Sequence, residues 1–181
     1  IGAVNTIVFR EGRRKGFNTD CSGFAMSFRQ TLGDVPRRRV ALLGAGGAGA
    51  AVARAAMTLG VEQLFIVDRD HERAEALARR VAGHYPERQV LTAGEPASAI
   101  AQADGLIHAT PTGMTGHPGL PFDPSLLRAE MWVAEIVYFP LKTELLRAAR
   151  QSIQRHLRRM PPDRVGRHLR AHLQCRLHQG R

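Results

Sequence analysis

The run Val40-Ala41-Leu42-Leu43 followed at once by Gly44-Ala45-Gly46-Gly47-Ala48-Gly49 constrains this chain more than any other segment. Four consecutive apolar residues without alternation read as a strand covered on both faces, the habit of a parallel sheet. The three glycines at 44, 46 and 49 then fall on one strand-to-helix turn, where a side chain would disfavour the backbone angles and block close approach of another group. An Ala-rich helix continues to about Thr58, and its start offers unpaired N–H groups and a partial positive charge, which suit phosphate. After the turn Leu59-Gly60, the run Leu64-Phe65-Ile66-Val67 predicts a second strand that closes on Asp68.

A glycine pattern of this kind is weak evidence alone. Set between two strands and opening a helix, it predicts a Rossmann-type dinucleotide-binding unit. Gly44 suits the tight turn, Gly46 the approach of a pyrophosphate and Gly49 the packing of helix on strand, with Ala45, Gly47 and Ala48 completing the loop. Asp68 stands where a carboxylate accepts hydrogen bonds from the adenosine ribose. That favours NAD, because the 2′-phosphate of NADP would meet a like charge. Arg69 is the cation that could offset the repulsion, so NADP stays open.

The alternation of strand and helix continues. Ala74, Leu77, Ala78 and Val81 recur at helical spacing; further strands are expected at 89–91, 105–109 and 132–137, with helices near 95–102 and 143–150. The fold class is therefore α/β, a doubly wound parallel sheet of five or six strands. Ahead of it, 3–9 alternates as a strand, 10–16 supplies a hairpin turn, and a helix capped by Asn18, Thr19 or Asp20 runs to about Leu32. Gly33-Asp34-Val35-Pro36 breaks the pattern, so we expect 1–33 to be the end of a separate α/β unit, 34–150 the dinucleotide domain and 151–181 a tail.

Charge follows the same division. The formal net charge of +10 is uneven: 1–150 hold 18 Lys and Arg against 15 Asp and Glu, whereas 151–181 hold eight Arg against Asp163 alone. A near-neutral body fits an enzyme of small metabolites better than a nucleic-acid binder. Leu169, Leu173 and Leu177 recur at helical spacing, but so short a helix is marginal alone, and the tail is expected to be poorly ordered. Cys21 and Cys175 match no metal or redox spacing and read as free thiols; no metal is expected. With no run of 18 apolar residues and no signal-peptide pattern at the start, the expected location is cytoplasmic, away from membranes.

Four further segments occur in one order: Ala3-Val4-Asn5-Thr6; Gly16-Phe17-Asn18-Thr19-Asp20 with Gly23-Phe24; Ala109-Thr110-Pro111-Thr112-Gly113-Met114; and Val137-Tyr138-Phe139-Pro140 with Thr143-Glu144-Leu145-Leu146. Together with the glycine loop they resemble the shikimate/quinate dehydrogenase family over about residues 1–150. Asp68 and the stretch 116–121 resemble its NAD-using quinate/shikimate branch. The resemblance implies a substrate domain and a Rossmann domain around a cleft, with a Lys–Asp pair flanking the hydroxyl that loses hydride. It makes Asp20 the aspartate of that pair, catalytic and substrate-binding, and Asn5 a ligand of a substrate hydroxyl. It sets Tyr138 near the substrate carboxylate, Thr110 beside the cofactor and Ile136 against the nicotinamide. Each has a plainer reading: Asp20 a helix cap, Tyr138 strand-end packing, Thr110 the start of a turn and Ile136 core. His108 stands where the family usually has Asn, and reads as structural.

By the same resemblance, the catalytic lysine and a serine-containing carboxylate-binding segment would precede Ile1. Lys15, in the expected hairpin turn, and Lys142 do not replace that lysine. The stretch 151–181 resembles no part of the family's ending; a shifted reading frame or a truncated gene would produce such a tail. The expectation is an NAD(P)-dependent oxidoreductase interconverting shikimate or quinate with its 3-dehydro form, of which this chain is an incomplete piece, inactive alone. The alternative is a non-catalytic NAD-binding module whose basic tail binds nucleic acid or an acidic partner. A homodimer is left open, as is the choice between quinate and shikimate.

Overall fold

The computed structural model describes residues 2–157 and 172–174. It begins with an antiparallel hairpin, β1 (Thr6–Arg10) and β2 (Arg13–Phe17), in which Thr6 faces Phe17 and Arg10 faces Arg13. The turn is shorter than 10–16: Glu11 and Gly12 alone form it, with φ of 52° and 71°. Two successive positive φ values give a tight turn whose twist matches that of paired strands, so Arg13–Gly16 are free to continue the ladder. Lys15 thus lies in a strand, with Nζ 5.2 Å above the Phe17 ring.

Helix α1 (Thr19–Leu32) follows, and of its three candidate caps Asn18 serves, its Oδ1 accepting the Cys21 N–H at 3.1 Å. The Asn18 amide also donates to the Ala3 carbonyl at 3.2 Å, tying the helix start to the incoming chain. One face of α1 buries Phe24, Ala25, Phe28 and Leu32.

Beyond the break lies a six-stranded sheet: β3 (Arg39–Leu43), β4 (Gln63–Val67), β5 (Gln89–Thr92), β6 (Gly105–His108), β7 (Trp132–Glu135) and β8 (His172–Gln174), in the order β5-β4-β3-β6-β7-β8. Every neighbouring pair is parallel. The connecting helices are α2 (Gly47–Thr58), α3 (His71–His84), α4 (Pro96–Gln102) and α5 (Glu144–Leu157). Alternate residues feed two cores, as expected of strands covered on both faces. Val40, Leu42, Leu64, Ile66 and Trp132 pack with α1, α2 and α3. Ala41, Leu43, Phe65, Val67 and Val133 pack with α4 and α5. The doubly wound architecture is thus present, and α1 shares one of its cores.

Three boundaries differ from the sequence reading. β6 and β7 stop at His108 and Glu135, because past these residues the chain leaves the ladder after one more bond, Ile136 N–H to the His108 carbonyl at 3.1 Å. α5 runs to Leu157 rather than about 150. The change in composition at 151 does not end it, since Ile153 is buried and Ser152 Oγ donates to the Leu127 carbonyl at 2.9 Å. Of the later tail, His172–Gln174 pair with β7 as a strand where helical spacing suggested a helix, taking up hydrogen-bonding groups that an edge strand leaves open. Cys175, the rest of that helix and most of the basic tail lie outside the described residues. No described helix is long and apolar enough to cross a membrane.

Strand order reverses at β3, from which the chain winds one way through β4 and β5 and the other through β6 and β7. A crevice forms at such a switch point, at the carboxyl ends of β3 and β6.

A Cβ on Gly105 would sit 1.9 Å from the Trp132 indole. That ring cannot retreat, being held by Phe28 edge-on at 5.0 Å and by its Nε1–H donating to the Pro36 carbonyl at 2.7 Å. Gly105→Ala should therefore lower unfolding free energy in urea by about 2 kcal/mol or more. Gly83→Ala, in α3 with nothing within 4 Å, should raise it by about 0.5–1 kcal/mol.

Candidate functional site

The glycine loop after β3 divides its residues by purpose. Gly44 has φ of 104°, and a Cβ there would stand 2.6 Å from the Ala109 carbonyl oxygen. A Cβ on Gly49 would stand 2.0 Å from the Gly44 carbonyl oxygen, so the partner this glycine spares is the loop's own first residue. Gly46 and Gly47 face open space, with nothing within 4 Å of an added Cβ. Two glycines are thus demanded by backbone crossing, and two leave an open surface. The loop is pinned on both sides: Gly44 N–H donates to the Val67 carbonyl at 2.8 Å, and Ala109 N–H to the Leu43 carbonyl at 2.7 Å.

The start of α2 suits an anion. Its N-cap, Gly46, makes no side-chain cap bond, and no acidic residue occupies the first turn. The N–H groups of that turn therefore have no capping side chain or acidic neighbour within the helix itself. Ala45 is buried beneath the turn, and Ala48 is exposed on α2.

Asp68, just past β4, is fixed rather than free. Its Oδ2 accepts the Ala45 N–H at 2.7 Å and its Oδ1 the Asp70 N–H at 3.0 Å, while Asp70 caps α3 by accepting the Arg73 N–H at 3.1 Å. Each Asp68 oxygen keeps lone-pair capacity for a ribose hydroxyl. A cavity of about 340 Å³ opens beside it, lined by Leu43, Val67, Asp68, Arg69, Thr110 and His117 among others. Arg69 is exposed and has no ion-pair partner among the described residues. Asp68, Arg69 and Thr110 line this cavity while residues 44–49 do not; with the uncapped start of α2 next to it and a fixed acceptor on its wall, it fits a dinucleotide.

His117 was missed as a lining residue. It arrives through a small turn in which Gly113 N–H donates to the His117 carbonyl at 2.6 Å and His117 N–H to the Met114 carbonyl at 2.8 Å. Its neighbours in 116–121 carried only a family resemblance, and no periodicity signals a turn that folds back over a crevice.

Sequence reasoning also missed a buried polar chain at the ends of β6 and β7. His108 and Glu135 stand opposite each other in register, both fully buried, with Nδ1 2.9 Å from Oε1. His108 Nε2 lies 2.5 Å from Thr110 Oγ1. Thr143 donates its hydroxyl to the other Glu135 oxygen and accepts the Leu146 N–H at 3.2 Å, which starts α5. The signal available beforehand was the pairing of two polar residues at the ends of adjacent apolar strands.

The substrate-side residues Asn5, Asp20 and Tyr138 do not line the cavity, and neither does Ile136, expected against the nicotinamide. Asn5 is exposed; its Oδ1 accepts the Thr19 N–H at 3.0 Å and the Thr6 hydroxyl at 3.1 Å, and its amide donates to Thr19 Oγ1 at 2.9 Å. Asp20 is half-buried in the first turn of α1, does not cap it, and has no hydrogen-bond or ion-pair partner among the described residues. Tyr138 is 55% exposed just after β7, whereas Ile136 is 6% exposed and packs into the core beneath α1–α3. Cys21 is half-buried; burial pushes its thiol up, against the pull of the Arg54 charge. No group of three or more His, Cys, Asp or Glu among the described residues could hold a metal.

Comparisons with known proteins agree with this fold. The family model described as shikimate/quinate 5-dehydrogenase matches residues 27–114. The chain is 51% identical over 152 residues to a shikimate dehydrogenase (NADP(+)) of Streptomyces avermitilis, covering 83% of this chain and 52% of that protein. It is 46% identical over 153 residues to a quinate/shikimate dehydrogenase (NAD(+)) of Corynebacterium efficiens, covering 83% and 54%. Among solved structures, quinate dehydrogenase from Corynebacterium glutamicum in complex with NAD superposes with a TM-score of 0.78 at 43% identity, covering 83% of this chain and 54% of that one. The chain thus spans about half the length of the relatives it matches.

Two substitutions separate the loop's roles. Gly46→Ala should leave unfolding free energy within about 0.5 kcal/mol of wild type, while calorimetry should show NAD binding weakened by about tenfold or more. Gly49→Ala should lower stability by about 2 kcal/mol or more. Because the raised pKa leaves less thiolate at neutral pH, Cys21 should react with iodoacetamide more slowly than a free thiol at pH 7.5, gaining on it as pH rises.

Proposed function

We propose that this chain, which belongs to the shikimate/quinate dehydrogenase family, supplies the cofactor-binding half of an NAD-preferring oxidoreductase that interconverts shikimate or quinate with its 3-dehydro form. The observation that carries the cofactor reading is the fixed carboxylate of Asp68 beside the bare face of Gly46 and Gly47. Relatives of similar identity carry NAD(+) and NADP(+) in their names, so the preference is argued from the site. Bound by two backbone N–H groups, Asp68 cannot swing aside for a 2′-phosphate, and the like-charge repulsion persists. Arg69, on the same wall, opposes that preference.

A bound dinucleotide would supply its nicotinamide as the acceptor of the hydride that leaves the substrate carbon. This chain's residues do the rest of what we assign to it. The start of α2 holds the pyrophosphate, and Asp68 accepts ribose hydroxyls. Asp20 sits where the partial positive charge of α1 favours its carboxylate, with no partner among the described residues to compete, so it can accept from the reacting hydroxyl and orient it. Asn5 has both Oδ1 lone pairs engaged, so towards a substrate hydroxyl it offers only its second amide N–H. Its bonds to Thr19 hold the residue before Asp20, coupling hairpin to helix. Tyr138, exposed at the end of β7, is assigned to the substrate carboxylate. Ile136 supports the nicotinamide wall from within the core. The cytoplasmic location belongs to the same proposal.

Calorimetric titration of the chain with each dinucleotide tests the cofactor reading. NAD should bind more tightly than NADP; Asp68→Ser should narrow the gap, and Arg69→Ala should widen it. Tighter NADP binding by the wild type would overturn the preference. In a protein completed to family length around residues 1–157, Asp20→Asn should lower kcat/KM for both quinate and shikimate by about a hundredfold or more. An unchanged kcat/KM would remove Asp20 from the mechanism.

A further inference from the structure

We propose that His108 fixes the Thr110 hydroxyl as an acceptor-only group on the wall of the cofactor cavity, so that Thr110 takes a hydrogen-bond donor of the dinucleotide and turns away its phosphates. The donors of that chemistry are the ribose hydroxyls, the carboxamide amino group and the adenine amino group. The inference rests on the cofactor reading above.

Hydrogen-bond directions along the buried chain lead to it. Thr143 Oγ1 accepts the Leu146 N–H and donates its own proton to Glu135. A carboxylate only accepts. The other Glu135 oxygen, 2.9 Å from His108 Nδ1, therefore draws the ring proton to Nδ1. With that proton placed, Nε2 of the neutral ring carries a lone pair, 2.5 Å from Thr110 Oγ1. Thr110 then donates to Nε2 and accepts the Thr112 N–H at 3.3 Å.

A hydroxyl has one proton and two lone pairs. Both bonds made, Thr110 retains one lone pair and no proton towards the cavity it lines. A phosphate oxygen meeting that lone pair finds acceptor against acceptor, while an O–H or N–H finds a partner. A second proton on the ring would reverse this: Nε2 would donate, both Thr110 lone pairs would be filled, and the hydroxyl proton would lack a partner among the described residues. The arrangement with one ring proton matches every donor to an acceptor.

His108 acts here through Thr110 and is a positioning residue. The strand ladder sets it: His108 and Glu135 are paired in register, so the ring is clamped from the β7 side and reaches only Thr110 on the other. In His108→Asn the amide nitrogen can take the place of Nδ1 towards Glu135, but the side chain ends there and leaves Thr110 free to rotate.

Nitrogen-15 NMR of histidine-labelled wild-type chain at neutral pH should show His108 neutral and protonated at Nδ1, its signals identified by their loss in His108→Asn. An Nε2–H tautomer or an imidazolium would overturn the proposal, whatever any variant does. Equilibrium binding of NAD supplies the second arm. His108→Asn and Thr110→Val should each weaken NAD by about 3–10-fold, the worth of one hydrogen bond. The double variant should be no weaker than Thr110→Val alone, and Thr110→Ser should bind close to wild type. Losses that multiply in the double variant, or unchanged binding by His108→Asn, would sink the idea. If the wild type itself binds no NAD, the cofactor reading fails, while the tautomer still decides the direction of the hydrogen bonds.

Discussion

Three backbones cross at one point in this molecule, and the rest is arranged around that crossing. The turn out of β3 passes so close to the residue after β6 that only a glycine fits at 44, and the first turn of α2 passes so close to the Gly44 carbonyl that only a glycine fits at 49. These contacts set where α2 points, and so where its N–H groups gather. They also set how near β6 comes to β3, which positions Thr110 on the opposite wall. Asp68 then clips the same loop from the β4 side through the Ala45 N–H. The crevice is thus a by-product of tight main-chain packing, and its shape is held by backbone contacts rather than by flexible side chains.

The polar groups around it follow the same economy. Asp68 and Glu135 are both anchored before any ligand arrives, one by backbone N–H groups at the rim and the other by His108 and Thr143 in the interior. Preorganised groups need not be reoriented when a ligand binds, so more of each contact appears as affinity. Because Thr143 also starts α5, the buried chain links the wall at Thr110 to the segment that carries Tyr138.

Local chemistry was legible in the residues. An apolar run before glycines, an Ala-rich helix after them and an acid closing the next strand specify β3, α2, β4 and Asp68, because each step depends on neighbours in sequence. Asn18, Thr19 and Asp20 are equivalent as caps in the sequence; the Ala3 carbonyl, which receives the Asn18 amide, distinguishes them. The hairpin turn was misjudged because charged residues at 13–15 looked like loop, when two positive-φ residues were enough to reverse the chain. Glu135 and Thr143 could not be found from spacing. Glu135 meets His108 only because β6 and β7 pair in one register, Thr143 reaches the pair only through Glu135, and His108 alone reads as structural. For the same reason His117, brought to the cavity by the 113–117 turn, has no signal in the sequence.

Trp132 is the chain's only tryptophan. It lies at the seam between the sheet and α1, its ring against Phe28 and its N–H on the Pro36 carbonyl within the break that separates the two segments. An indole so placed is an optical gauge. Its emission reports the polarity of one location, and that location exists only while α1 is seated on the sheet. Lifting the helix would admit water to the ring and shift its emission to longer wavelength, even with the glycine loop and its crevice intact. The protein therefore carries an internal probe that separates loss of the first helix from loss of the nucleotide fold.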